Sequence, residues 1–133
     1  MSTTHEQLPI ATSGDVVLVR NAVRAAAARM GFRTLDMTKL VTAASEIGRN
    51  TLIYGGGGTA DVECLEADRR SGVRVVFEDH GPGIADLSLA MSEGYTTGGG
   101  MGLGLGGAKK LVDEFDIESE AGRGTRVTMT KWR

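Results

Sequence analysis

The period of the hydrophobic positions changes several times along the chain, and each change predicts a new element. Residues 7–12 read as a short first strand, and Pro9, which lacks an N–H, places it at a sheet edge. Ser13 or Asp15 can cap a helix that begins there. Val16, Val19, Val23, Ala26, Ala27 and Met30 recur at helical spacing until Gly31 stops the run. Val17 and Leu18 lie off that stripe, as a partner contact or as ordinary exposed apolar residues. A second helix is predicted over 36–54, with Met37, Leu40, Val41, Ala44, Ile47 and Thr51 inward and a glycine run from Gly55 ending it. Two β segments, 59–67 and 72–78, flank a polar turn and form a hairpin. Beyond Asp79 the chain turns through His80-Gly81-Pro82-Gly83. Short helices are then expected over 85–91 and 104–115, and strands over 116–120 and 125–131 close the sequence.

This order is strand, helix, helix, hairpin, loop, helix, hairpin. Sequential hairpins imply a mostly antiparallel, mixed sheet covered on one face by helices: an α+β two-layer sandwich. The 133 residues fit one domain, 1–133, with no linker or repeat. A hydrophobic fraction of 41% is enough for a folded core. The net charge of −2 comes from interspersed acids and bases, which gives no support for nucleic-acid binding. No apolar run reaches membrane-spanning length, and the opening MSTTHEQLPIATSG lacks a charged-then-apolar leader, so a cytoplasmic location is expected. The single cysteine, Cys64, reads as a small strand hydrophobe. Composition is unusual in one respect. Glycine occurs 20 times and clusters at 55–58 and 98–107, where the chain must bend sharply or approach something closely.

Three segments carry candidate chemistry. In Glu46-Ile47-Gly48-Arg49-Asn50, Glu46 and Asn50 share a helix face opposite the apolar stripe. That face is either plain solvated surface, with Glu46 paired to Arg49, or the floor of a ligand site. In the second case Asn50 offers an oxygen to Mg²⁺ and Glu46 orients or deprotonates a hydroxyl. In Glu78-Asp79-His80-Gly81-Pro82-Gly83-Ile84, a carboxylate at a strand end suits an exocyclic amino donor such as adenine's, although Asp, Gly and Pro also make an ordinary turn. His80 reads as a loop histidine. The third segment, Thr96 onward through Gly100, Met101, Gly102, Leu103 and Gly104, alternates glycine with apolar residues before a helix. Its spacing matches neither a P-loop nor a dinucleotide fingerprint. Backbone N–H groups at such a helix start suit an anion. A smaller element, Gly122-Arg123-Gly124-Thr125, is a hairpin turn whose Thr125 hydroxyl can reach a base or an ordered water.

Together and in this order, Glu46…Asn50, Asp79-His80-Gly81-Pro82-Gly83, Gly102-Leu103-Gly104-Leu105 and Gly124-Thr125 resemble the asparagine and glycine boxes of the GHKL ATPase/kinase superfamily. Within it the chain looks most like the bacterial serine/threonine switch kinases of stress-response partner switching, the RsbT type. Further matches are Gly94-Tyr95-Thr96-Thr97, the stretch from Leu111 to Ile117, and Lys131-Trp132-Arg133. The resemblance implies a Bergerat ATP-binding fold and transfer of the γ-phosphate of MgATP to Ser or Thr on a STAS-domain protein of the stressosome. It also implies binding to a PP2C-type phosphatase. Carried over by position, Asn50 holds Mg²⁺, Glu46 is the candidate base, and Asp79 reads adenine with help from Thr125. Gly81 and Gly83 lie against the ring. Gly100, Gly102, Leu103 and Gly104 line the phosphates, and residues 92–102 form a lid.

One departure narrows the subgroup. Related anti-sigma kinases place an Arg in the lid, whereas here Thr97-Gly98-Gly99 is followed by no basic residue until Lys109. The switch kinases also lack it. The competing reading is an anti-sigma factor or nucleotide-gated binding module that sequesters a sigma factor and has little kinase activity.

Overall fold

The computed structural model describes residues 2–84, 91 and 104–133. Strand β1 (Ser2–Ile10) is followed by helices α1 (Ser13–Arg29) and α2 (Thr34–Ile53). The hairpin β2 (Gly58–Ala67) and β3 (Arg70–Asp79) comes next, then α3 (Gly104–Lys109), and β4 (Glu114–Glu120) and β5 (Gly124–Trp132) close the chain. The strands form one sheet in the order β1-β2-β3-β5-β4, and every described pairing is antiparallel. The α+β class expected from the hydrophobic pattern is therefore present, with no parallel pairing among the described strands.

The strand pattern sorts residues between two faces. Ala60, Val62 and Cys64 on β2, Val73, Val75 and Phe77 on β3, and Val127 and Met129 on β5 are buried together in register under the helices. The opposite face carries charge in rows, Glu63 beside Arg74 and Glu78 beside Arg126 beside Glu118. Opposite charges paired across strands keep that face wetted and in register. Cys64 is buried in the core row, as a small hydrophobe would be, with its Sγ 4.0 Å from the Arg29 guanidinium.

Helix α1 is capped by Thr12, one residue before Ser13 and three before Asp15, the two candidates read from the sequence. The Thr12 hydroxyl accepts from Asp15 N, and the Asp15 carboxylate accepts from Ala11 N and Thr12 N. This capping box is worth roughly 1 kcal/mol. Gly31 ends the helix at φ 79, while Gly31 N donates to Ala28 O and Phe32 N to Ala27 O, a Schellman closure. The inward stripe is the predicted one, with Val19, Val23 and Ala27 fully buried and Val17 and Leu18 exposed. Helix α2 packs between α1 and β3, where a Cβ on Gly48 would make ordinary contacts with Val16 at 3.4 Å and Phe77 at 3.6 Å. Buried Thr51 satisfies its hydroxyl on Ile47 O.

Two elements differ from expectation. The first strand begins five residues earlier than the predicted 7–12, because the whole of β1 pairs along β2 from Ser2↔Leu65 to Ile10↔Gly58. It remains an edge strand, as Pro9 requires. The last helix ends at Lys109 instead of residue 115, and β4 starts at Glu114 instead of 116. Phe115 and Ile117 alternate inward opposite Met129 and Val127, so period-two pairing with β5 overrides helical propensity there. The helix expected over 85–91 lies outside the described residues except for Met91.

The C-terminal strand is anchored at its end. Lys131, 7% exposed, lies between Asp36 of α2 at 3.7 Å and Asp113 at 3.9 Å. The Trp132 indole donates to Glu114 at 2.6 Å, and the Arg70 guanidinium sits 3.9 Å above its ring.

The β2–β3 hairpin turns on Asp68 and Arg69, with φ of 50 and 68. A two-residue turn of this kind favours glycine at its second position. The substitution R69G should stabilise the fold by about 0.5–1 kcal/mol by relieving the left-handed backbone. The check is an upward shift of the urea unfolding midpoint at unchanged slope.

Candidate functional site

Asp79, the last residue of β3, is 8% exposed, and it is the point on which the site is built. Its Oδ1 accepts from Gly81 N at 2.9 Å, closing a tight turn through His80. No donor to Oδ2 is present among the described residues. A carboxylate oxygen so nearly covered by protein is a strong acceptor for a ligand donor.

The covering comes from backbone. The chain leaving α2 passes directly over the carboxylate, and a Cβ on Gly55 would sit 2.4 Å from Asp79 Cγ. Gly55 N donates to Asn50 O, so the last turn of α2 fixes where this crossing happens. From below, Gly124 opens β5 at φ 115, where a Cβ would lie 2.1 Å from Asp79 O. Any side chain at either position would displace the end of β3. The glycines proposed to lie against a ring have the same kind of neighbour. A Cβ on Gly81 would meet Gly55 O at 2.6 Å, and one on Gly83 would meet Glu120 O at 2.3 Å. Chain packing accounts for glycine at both positions. His80 is exposed, as a loop histidine would be.

Thr125 lies beside Asp79 in the β3–β5 register, and Ser119 lies beside Thr125 in the β4–β5 register. The three side chains form one row on the helix-covered face. Ser119 Oγ is 2.8 Å from Thr125 Oγ1, accepts from Ile84 N at 2.8 Å and donates to Gly124 O at 3.2 Å. The Gly81–Ile84 turn is thereby tied to the last hairpin, and Gly122 N adds a bond to Pro82 O.

Glu46 and Asn50 stand one turn apart on α2, and both are half-buried. The reading of their face as opposite the apolar stripe needs correction. Ala43, Ile47, Gly48 and Thr51 are buried, which places Asn50 on the flank of that stripe. Helix α3 packs on α2, with Leu105 and Ala108 buried. Gly104 opens α3 at φ 71 and is itself buried. Gly100, Gly102 and Leu103, together with the lid expected over 92–102, lie outside the described residues. The described structure therefore joins Asn50, Gly55, Asp79, Gly81, Thr125 and Ser119 through direct hydrogen bonds, register or close approach.

Two of these were missed in the sequence. Gly55 was visible only as a helix stop, although one glycine suffices for that and four stand in the run. Ser119 follows from pairing across the hairpin with Thr125, which becomes apparent once β4 is placed two residues earlier.

The Histidine kinase-like ATPase domain model matches residues 10–131, nearly the whole chain. The chain belongs to this family. It is 41% identical over 123 residues to the serine/threonine-protein kinase RsbT of Bacillus subtilis (strain 168), covering 92% of each chain. It is 30% identical to the anti-sigma F factor of Clostridium novyi (strain NT), covering 92% of this chain and 89% of the other. A solved structure of the RsbU and RsbW domains of Rv1364c from Mycobacterium tuberculosis superposes with a TM-score of 0.67 at 26% identity, over 98% of this chain and 33% of that one. The family resemblance carried by the ordered motifs is thus met across the fold, and the ATPase domain implies use of ATP. No helix among the described residues is long and apolar enough to cross a membrane.

Because Gly55 has no room for a Cβ above Asp79, G55A should weaken ADP binding at least tenfold while leaving the helical circular-dichroism signal intact. Unchanged affinity in a calorimetric titration would show that this crossing does not place the carboxylate.

Proposed function

We propose that the protein is a serine/threonine kinase that transfers the γ-phosphate of ATP to a STAS-domain partner, and that it also binds a PP2C-type phosphatase as a partner-switching regulator. The observation that carries the nucleotide part is the covered carboxylate of Asp79, whose Oδ2 lacks a donor among the described residues and whose partner in register is Thr125. An adenine amino group meets that need, and a base without a donor at this position leaves the acceptor unpaired. The kinase part is supported by 41% identity over almost the full length to a protein named as a serine/threonine kinase.

On this reading each residue takes the following role. Asp79 orients the base at the closed end of the sheet. Asn50, on the flank of the α2 stripe, would offer its side-chain oxygen to the cation. Among the described residues no group of three or more His, Cys, Asp and Glu is gathered, so a cation here takes its remaining ligands from phosphate and water. That donor set suits Mg²⁺, which keeps its waters and commonly binds through one or two protein oxygens plus phosphates. When bound, Mg²⁺ would neutralise charge on the transferring phosphate. Gly100, Gly102, Leu103 and Gly104 would line the phosphates. Glu46, one helical turn from Asn50, orients the incoming hydroxyl and accepts its proton. Lys109 is exposed at the end of α3 and is read as surface charge. The missing lid arginine leaves room for the partner to complete the γ-phosphate contacts.

A second reading is favoured by the 30% identity to an anti-sigma F factor. In it the chain sequesters a sigma factor, and nucleotide sets its conformation. Pull-down of sigma factor and phosphatase with and without ATP separates the two.

The kinase reading predicts transfer of label from MgATP to Ser or Thr of a cognate STAS protein. E46Q should bind ADP within about twofold of the parent yet transfer about 10²–10⁴-fold more slowly, the range for a lost general base. D79N should lose both binding and transfer. Absence of any transfer, or equal transfer by D79N, would sink the proposal.

A further inference from the structure

We propose that Ser119 is a positioning residue that sets the hydrogen-bond direction of Thr125, making the base-reading end of the site accept a 6-amino purine and reject a 6-keto purine. The inference rests on the reading of Asp79 and Thr125 as the base-contacting pair.

A serine hydroxyl has one proton to donate and two lone pairs to accept with. One lone pair of Ser119 takes the Ile84 N–H at 2.8 Å, and its proton has the Gly124 carbonyl at 3.2 Å, which can only accept. The remaining contact, Thr125 Oγ1 at 2.8 Å, is then filled by the Thr125 proton donated into the last lone pair of Ser119. All three hydrogen-bonding positions of Ser119 are used in this arrangement. The reverse direction would abandon the Gly124 bond and leave a lone pair idle.

The consequence falls on Thr125. With its proton turned inward to Ser119, it faces outward only as an acceptor. Its neighbour across the β3–β5 ladder, Asp79, is also an acceptor. Two acceptors each about 2.9 Å from one amino nitrogen, about 120° apart, are separated by about 5 Å. Directly paired residues on antiparallel strands have Cβ atoms about 4.5–5.5 Å apart. The ladder therefore sets two acceptors side by side on one face of the sheet, an arrangement suited to the two N–H groups of adenine's 6-amino substituent. A 6-keto purine in the same pose sets a lone-pair oxygen against both. Ser119 on this account adds to the discrimination made by Asp79, acting through Thr125 and touching no part of the base.

The test is the ratio of ADP to IDP affinity, since IDP differs at this position by carrying the keto oxygen and its N1 proton. The parent should prefer ADP by at least 100-fold. In S119A the Thr125 proton is free to turn outward, and the ratio should fall at least tenfold through a gain in IDP binding. S119T, which keeps the hydroxyl, should restore it. In a T125V background S119A should leave the ratio unmoved. S119C is nearly isosteric but a poor acceptor, and it should lower the ratio in the same direction if S119A does not fold. Equal losses for both nucleotides in S119A, or in S119C if that variant is used, would overturn the proposal and reduce Ser119 to a clamp on the Gly81–Ile84 turn. Failure of the underlying reading looks different: ADP affinity would then be unaffected by D79N.

Discussion

The close crossing of backbone at the end of β3 constrains everything around it. Asp79 can be both buried and useful only because the chain above it, at Gly55, and the chain beneath it, at Gly124, carry no side chains. A carboxylate placed there without neighbours would be an ordinary solvated strand end. Packed under backbone, it keeps one oxygen tied to Gly81 N, and the other has no donor among the described residues. A buried acceptor of this kind is costly to leave unpaired, and that cost is what makes it discriminating toward a ligand.

The same crossing couples the two halves of the fold. Helix α2 must stop at a defined place for Gly55 to lie over Asp79, and the Asn50 carbonyl makes that stop by accepting from both Tyr54 N and Gly55 N. The position of Asn50 relative to Asp79 is therefore set by a few consecutive residues. Helix α2 faces α1 and the sheet at Gly48, which lies in contact range of Val16 and Phe77. On the other side, Ser119 ties the Gly81–Ile84 turn to the β4–β5 hairpin. The row of Asp79, Thr125 and Ser119 thus draws on α2, β3, β4 and β5, and none of these elements positions it alone.

Much of the candidate site was legible before the fold was known, for a specific reason. Residues proposed to serve a ligand by type, such as Asp79 at a strand end and Asn50 four residues after Glu46, show themselves by chemistry and local spacing. Residues that serve by fit do not. Gly55 was indistinguishable from its neighbours in a glycine run, and Ser119 looked like any polar position on an amphipathic strand. Gly81 and Gly83 illustrate the reverse case. Their identity suggested a ligand's flat face, yet the space their side chains would need belongs to Gly55 and Glu120.

The sequence by itself determined the element order, the inward stripes of α1 and α2, the edge position of β1 and the α+β class. These follow from local periodicity, from proline's missing donor and from the chemistry of turns. Only the tertiary structure decided that the last helix yields at Lys109 to a strand, because Phe115 and Ile117 gain more from pairing with Met129 and Val127 than from another helical turn. It also decided that Asp79, Thr125 and Ser119 share one row, which depends on hairpin register between segments far apart in the chain. Register is a property of pairs of strands, and no single stretch of sequence contains it.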